Sequence, residues 1–283
     1  MGGEGEPEQA ERADDAAENT YPFVAPSHQL PCSAPLGWLS QGWNDYKRAW
    51  PQSLAYGVFM ALASVLVSAL SWRYGSALFL LSMLGGFVFL MPLLCIGLYA
   101  LSAQLERGQP ASLRTALHTS FRRHLDNGLV FALVLIVVFL VWARVGAVMS
   151  IFLPEQSDPP LSDLITYYSI GTAVGAVFTA VAFSASAFSL PMVVDRRVDM
   201  ITAVITSVNA VLRNKKVMVL WLGCIVAALL LGVLTAFVGL AVTMPVIGHA
   251  AWHGYHATID ASGFPRHQTG VTASPRRPVA PTA

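Results

Sequence analysis

The stretch GHAAWHGYH, Gly248 to His256, holds the side chains best suited to chemistry. His249 and His253 stand four positions apart, so a helix puts them on one face, and His256 follows three further on. Imidazoles at that spacing can share a metal, and a membrane histidine can ligate haem, which makes His249 and His253 the candidate metal or haem ligands. Two histidines are an incomplete set, and no Cys or carboxylate motif accompanies them. The competing reading places them at a membrane boundary, with Trp252 and Tyr255 in an aromatic belt and the ring nitrogens bonded to water or headgroups. Proton handling is a third reading. Arg144 is the other candidate. A guanidinium inside an apolar segment is expensive, so it snorkels outward, pairs with Glu155, Asp158 or Asp163, or contacts an anion or lipid headgroup.

Catalytic residues are not assigned. The chain has no phosphate-binding loop, no Ser/His/Asp arrangement and no HExxH, so it is expected not to be an enzyme. Ion-coupled carriers commonly place carboxylates near the midplane, and the apolar segments here contain none, which disfavours secondary active transport. Cys32, Cys95 and Cys224 are isolated thiols without metal or redox spacing.

The elements that carry these residues are set by composition. Hydrophobic residues make up 55% of the 283 and charged ones only 12%. The mean hydropathy is +0.57. Soluble domains are about a quarter charged, so the medium is lipid. A net charge of +1 gives no field for nucleic acid, and the expected partners are the lipid bilayer and other membrane proteins. Residues 1–30 are acidic and broken by prolines, and 261–283 are basic and proline-rich. Both are expected to be disordered tails around one membrane domain, 31–260. No signal-peptide pattern opens the chain, so the membrane helices are expected to direct insertion.

Crossing about 30 Å of hydrocarbon takes about 20 apolar residues in a helix. Six segments qualify: 54–72, 77–101, 129–152, 170–194, 217–235 and 237–255. Arg144 is their only charged side chain apart from titratable histidines. The last two are divided near Thr235, with Gly232 and Gly239 as turn-permissive positions. Basic residues cluster before span one, between spans two and three, between four and five, and after six. The positive-inside rule then makes both termini cytoplasmic.

An internal repeat is also expected. Ala116–Asn127 aligns with Ala203–Asn214, and a diverged copy fits at Trp38–Ala49. In the first copy Leu36, Leu39, Trp43, Tyr46 and Trp50 form an apolar stripe opposite Gln41, Asn44, Asp45, Lys47 and Arg48, as in a helix lying among headgroups. Ile201, Val204, Ile205, Val208, Val211 and Leu212 make the matching stripe in the third. Pro92, Pro191 and Pro245 sit late in the even-numbered spans, where they should kink. The fold class expected is therefore an all-α polytopic membrane bundle: six transmembrane helices as three hairpins, each preceded by an interfacial amphipathic helix. Gly171 and Gly175, a GxxxG, are expected to pack against a neighbour within the bundle.

Several stretches together resemble a known family: LPCSAPLGWLSQGW near the start, SLAYG (Ser53–Gly57), GLYALSAQLERG (Gly97–Gly108), WAR ending at Arg144, GTAVGA (Gly171–Ala176), LPMVVDR (Leu190–Arg196) and PVIGHAAWHGY (Pro245–Tyr255). From about Pro31 to Tyr255 the chain resembles bacterial integral membrane proteins catalogued as domain of unknown function 2189. The resemblance implies the bacterial inner membrane and no established activity. Some members carry a loose cytochrome oxidase label, but a full haem-copper ligand set is missing here. The leading expectation is a non-enzymatic scaffold, assembly factor or lipid-modulating protein. The alternatives are a respiratory-chain accessory or haem/metal-binding protein, and a channel or exporter for an amphiphile.

Overall fold

A computed structural model describes residues 22–74, 94–149, 151 and 160–267. Among them the chain is helical: α1 Ala34–Arg48, α2 Trp50–Tyr74, α3 Ile96–Glu106, α4 Leu113–Met149, α5 Leu161–Ser186, α6 Ser189–Asp195, α7 Met200–Arg213, α8 Lys215–Leu234 and α9 Leu240–Thr258. There is no strand among the described residues, only isolated antiparallel bridges pairing Ser27 with Ile259 and Arg196 with Arg266.

Four stretches are long and apolar enough to cross a membrane: Trp50–Leu70, Leu129–Met149, Leu161–Asp195 and Lys215–Leu234. They match expected spans one, three, four and five. Span two is described only from Leu94, where it becomes α3. Span six is α9, which is helical as expected but less apolar than the four. Its position explains the difference. Helices α1, α2, α3, α6 and α8 all pack on α9, so protein rather than lipid surrounds it, and it can carry His, Thr and Gly.

The turn between α8 and α9 falls where expected, but the two glycines do not supply it. Ala236 and Phe237 take the left-handed conformation, at φ 50° and 69°. Thr235 steadies the turn: its hydroxyl donates to the Leu231 carbonyl and accepts from the Gly239 N–H, both at 2.8 Å. Gly232 serves packing instead, because a Cβ there would lie 2.1 Å from a Leu240 methyl carbon.

The stretches expected as first and third copies each end in a hinge of the same backbone conformation. Ala49 separates α1 from α2 with φ/ψ of −118°/37°, and Asn214 separates α7 from α8 with −118°/36°. Aligning Trp38–Ala49 with Ala203–Asn214 superposes these two hinges. The second copy departs from the pattern, since α4 runs unbroken through Asn127.

In both short helices part of the expected stripe faces outward, and small or polar residues face the protein. Helix α1 buries Pro35, Trp38, Gly42 and Asp45 and exposes Leu36 and Trp43, and Trp50, which opens α2, is exposed too. Helix α7 buries Met200, Thr202, Ala203, Thr206, Ser207, Ala210 and the stripe residue Val211, and exposes Ile201 and Leu212. Small and polar side chains let helices approach closely in a membrane bundle, while bulky apolar ones lose nothing by facing lipid.

Of the three prolines, Pro92 lies outside the described residues. Pro191 sits in the first turn of α6, just after the chain breaks at Ala187–Phe188. Pro245 lies inside a continuous α9. It frees the Ala241 carbonyl, and Gly57 of α2 covers that carbonyl so closely that a Cβ would sit 2.0 Å from its oxygen. The GxxxG does not make the expected contact among the described residues. Gly175 has open space beside it, and Gly171 meets only the Met149 methyl carbon at 3.9 Å.

Ordered chain extends beyond the expected domain limits. The Ala25 N–H donates to Thr206 Oγ1, the His28 N–H to the Thr258 carbonyl and the Asp260 N–H to the Pro26 carbonyl. Asn214 clamps the same strap, accepting from the Leu30 N–H and donating to the His28 carbonyl. Residues 22–30 and 261–267 thus belong to the folded body, and the rest of both tails lies outside the described residues.

Candidate functional site

Helix α9 can hold polar groups in register because glycines let its neighbours approach. A Cβ on Gly42 would lie 2.6 Å from both the Ala250 nitrogen and the Val246 oxygen, and one on Gly248 would lie 2.5 Å from a Leu98 methyl carbon. Helices α1 and α3 are thereby pressed against α9 where His249 points between them.

His249 is fully buried, with Ser53 Oγ 2.9 Å from Nε2 and Ser102 Oγ 2.7 Å from Nδ1. Ser102 donates its single hydroxyl proton to Asp45 Oδ2 at 2.9 Å. His249 must then donate from Nδ1 to Ser102, which leaves Nε2 of the neutral ring to accept from Ser53. Asp45 Oδ2 also accepts from His253 Nε2 at 2.8 Å. The result is a continuous chain, Ser53–His249–Ser102–Asp45–His253, drawn from α1, α2, α3 and α9. Burial pushes the Asp45 carboxyl up, but the hydrogen bond and charge of His253, then Ser102 and nearby His249, hold it below its ordinary 3.8.

The two candidate ligands therefore meet, but through intermediaries. Both ring nitrogens of His249 are engaged by serines and His253 Nε2 by a carboxylate, so the pair shares hydrogen bonds rather than an open coordination space. Among the described residues, no group of three or more His, Cys, Asp or Glu is placed to hold a metal ion.

The adjoining face of α9 carries a second cluster. Trp252 and Tyr255 are buried rather than belted in lipid, each 1% exposed. Trp252 Nε1 donates to Glu106 Oε2 at 3.1 Å and the Tyr255 hydroxyl to Asp195 Oδ2 at 3.1 Å. Each ring thus keeps a carboxylate partner for its polar tip, buried at Asp195 and exposed at Glu106. Asp195, just beyond expected span four, is a buried acceptor. It also takes Arg196 Nε at 2.8 Å, while Arg196 Nη1 donates to the Phe264 carbonyl at 2.8 Å. His256 Nε2 lies 3.3 Å from Glu106 Oε2.

Arg144 stands apart, exposed on α4. Among the described residues it has no ion pair with Asp163; Glu155 and Asp158 lie outside them.

Spacing alone missed Ser53, Ser102, Asp45, Glu106 and Asp195. A signal was nonetheless present. SLAYG supplies Ser53 and Gly57, GLYALSAQLERG supplies Ser102 and Glu106, LPMVVDR supplies Asp195, and all of them converge on PVIGHAAWHGY.

Long apolar helices around a polar-cored central helix define a polytopic α-helical membrane protein. Residues 78–195 match the model of the family described as predicted integral membrane protein (DUF2189), the same family that the motifs resemble. No curated protein matches the chain, and no solved structure does.

Proposed function

We propose that the protein is a non-enzymatic, six-span component of the bacterial inner membrane that acts as a scaffold, assembly factor or lipid-modulating element. One observation carries this reading: both ring nitrogens of the buried His249 are taken up by serines. A metal or haem ligand must offer a free ring nitrogen, and His249 offers none.

The bond between the Pro26–His28 and Thr258–Asp260 segments supports an even number of crossings, because both ends of the domain meet on one side. The exposed cations Lys47 and Arg48 at one hinge, and Arg213, Lys215 and Lys216 at the other, favour the cytoplasmic side. Exposed Trp43 stacks on Tyr46 at 5.4 Å, which suits α1 to the headgroup boundary, with α7 as its repeat counterpart.

Optical spectra and metal analysis of the purified protein, alongside the His249→Ala/His253→Ala variant, provide the test. A scaffold predicts no haem band, no stoichiometric metal and a less stable double variant. A chromophore or metal present in the wild type and lost in the variant contradicts it and restores the respiratory accessory reading.

A further inference from the structure

Beside the Asp195 carboxylate, three guanidiniums from separate parts of the fold converge. Arg107 follows α3, Arg196 follows α6 and Arg266 belongs to the strap beyond α9. Arg196 is committed, with Nε on Asp195 and Nη1 on a carbonyl. The other two are not. Arg107 Nη2 stops 3.9 Å from Asp195 Oδ1, Arg266 Nε stops 4.0 Å from the same oxygen, and Arg266 Nη2 lies 3.9 Å from Glu106 Oε1. These distances exceed hydrogen-bond range, so among the described residues both forks keep their donors. Their side chains are 30% and 53% exposed.

We propose that Arg107 and Arg266, backed by Arg196, bind a phosphate-type oxyanion. Three guanidiniums face the two carboxylates of Asp195 and Glu106, leaving cationic charge in excess. Asp195 Oδ2 is already satisfied by Arg196 and Tyr255, so Oδ1 alone does not hold the two open forks. A tetrahedral anion offers several oxygens at once and matches planar guanidinium forks that approach from two sides. Arg107 directly follows an apolar helix, so either a lipid headgroup or a free phosphate fits this chemistry.

Native mass spectrometry of the full chain in detergent tests the site, with titrations of phosphatidylglycerol, diacylglycerol of the same acyl chains and inorganic phosphate. The wild type should hold one phosphatidylglycerol more tightly than diacylglycerol, and Arg107→Gln/Arg266→Gln should weaken that adduct by about tenfold or more. Inorganic phosphate that displaces the adduct identifies phosphate itself as the ligand; failure to displace it assigns the site to the lipid headgroup. Should the double variant misfold, Arg266→Gln alone removes a half-exposed side chain, and its thermal unfolding can be checked beside a partial loss of affinity. The proposal is overturned by variants that bind like the wild type, or by a wild type that neither prefers phosphatidylglycerol nor binds phosphate.

Discussion

Asp45→Ala removes the acceptor shared by Ser102 and His253, and the structure sets limits on the cost. Hydrogen bonds between membrane helices average about 0.6 kcal/mol, so two lost bonds set a floor of about 1.2 kcal/mol. Stripping one partner from a buried charge pair costs about 3–5 kcal/mol, which is a ceiling. The Asp45 side chain is 8% exposed but His253 is 23%, so water can resolvate the abandoned imidazole though not the Ser102 hydroxyl. The expected loss is therefore about 2–3 kcal/mol. Asp45→Asn keeps an acceptor oxygen and loses only charge, so it should cost about half as much. Reversible unfolding in mixed detergent–lipid micelles measures both, and a cycle with His253→Ala should return a coupling of about 1 kcal/mol. If Asp45→Ala stayed within about 0.5 kcal/mol of wild type, as a surface substitution does, the polar chain would have no structural weight and the reasoning would fail.

Because the folded Asp45 carboxyl titrates below its ordinary 3.8, its contribution is complete above that pH and drains away as pH falls toward the folded value. Acid unfolding should show this limb in the wild type and lack it in Asp45→Asn; matching profiles would refute the assignment. Gly57→Ala should destabilise by about 3 kcal/mol or more, because its Cβ meets the Ala241 carbonyl backbone and the Pro245 ring rather than a flexible side chain. Wild-type unfolding of that variant would mean α2 and α9 do not approach as described.

Long apolar runs were legible because hydrocarbon admits few ways to satisfy a backbone, and four of the expected spans appear as long apolar helices. The repeat register paired Ala49 with Asn214 but did not reveal that a hinge falls at each. Amphipathic periodicity marked two sides of α1 and α7 without showing which small and polar residues are buried. Asp45 sat among Gln41, Asn44, Lys47 and Arg48 and read as solvated. Its partners Ser102 and His253 lie on other helices, and no local spacing relates them to it. The histidines were found, but the serines beside His249 were not, because they come from distant segments. The Arg107–Arg266 juxtaposition was equally hidden, since Arg266 falls in a stretch that looked like tail.

In the proposed topology α9 ends on the cytoplasmic side, beside the segment that precedes α1. Matched fusions of a cytoplasm-dependent fluorescent protein and of alkaline phosphatase after Ala283, expressed in bacterial cells, test that directly. Fluorescence with an inactive phosphatase is the predicted result. An active phosphatase would put the segment bonded to Pro26 and His28, and both ends of the domain with it, on the periplasmic side and contradict their cytoplasmic placement.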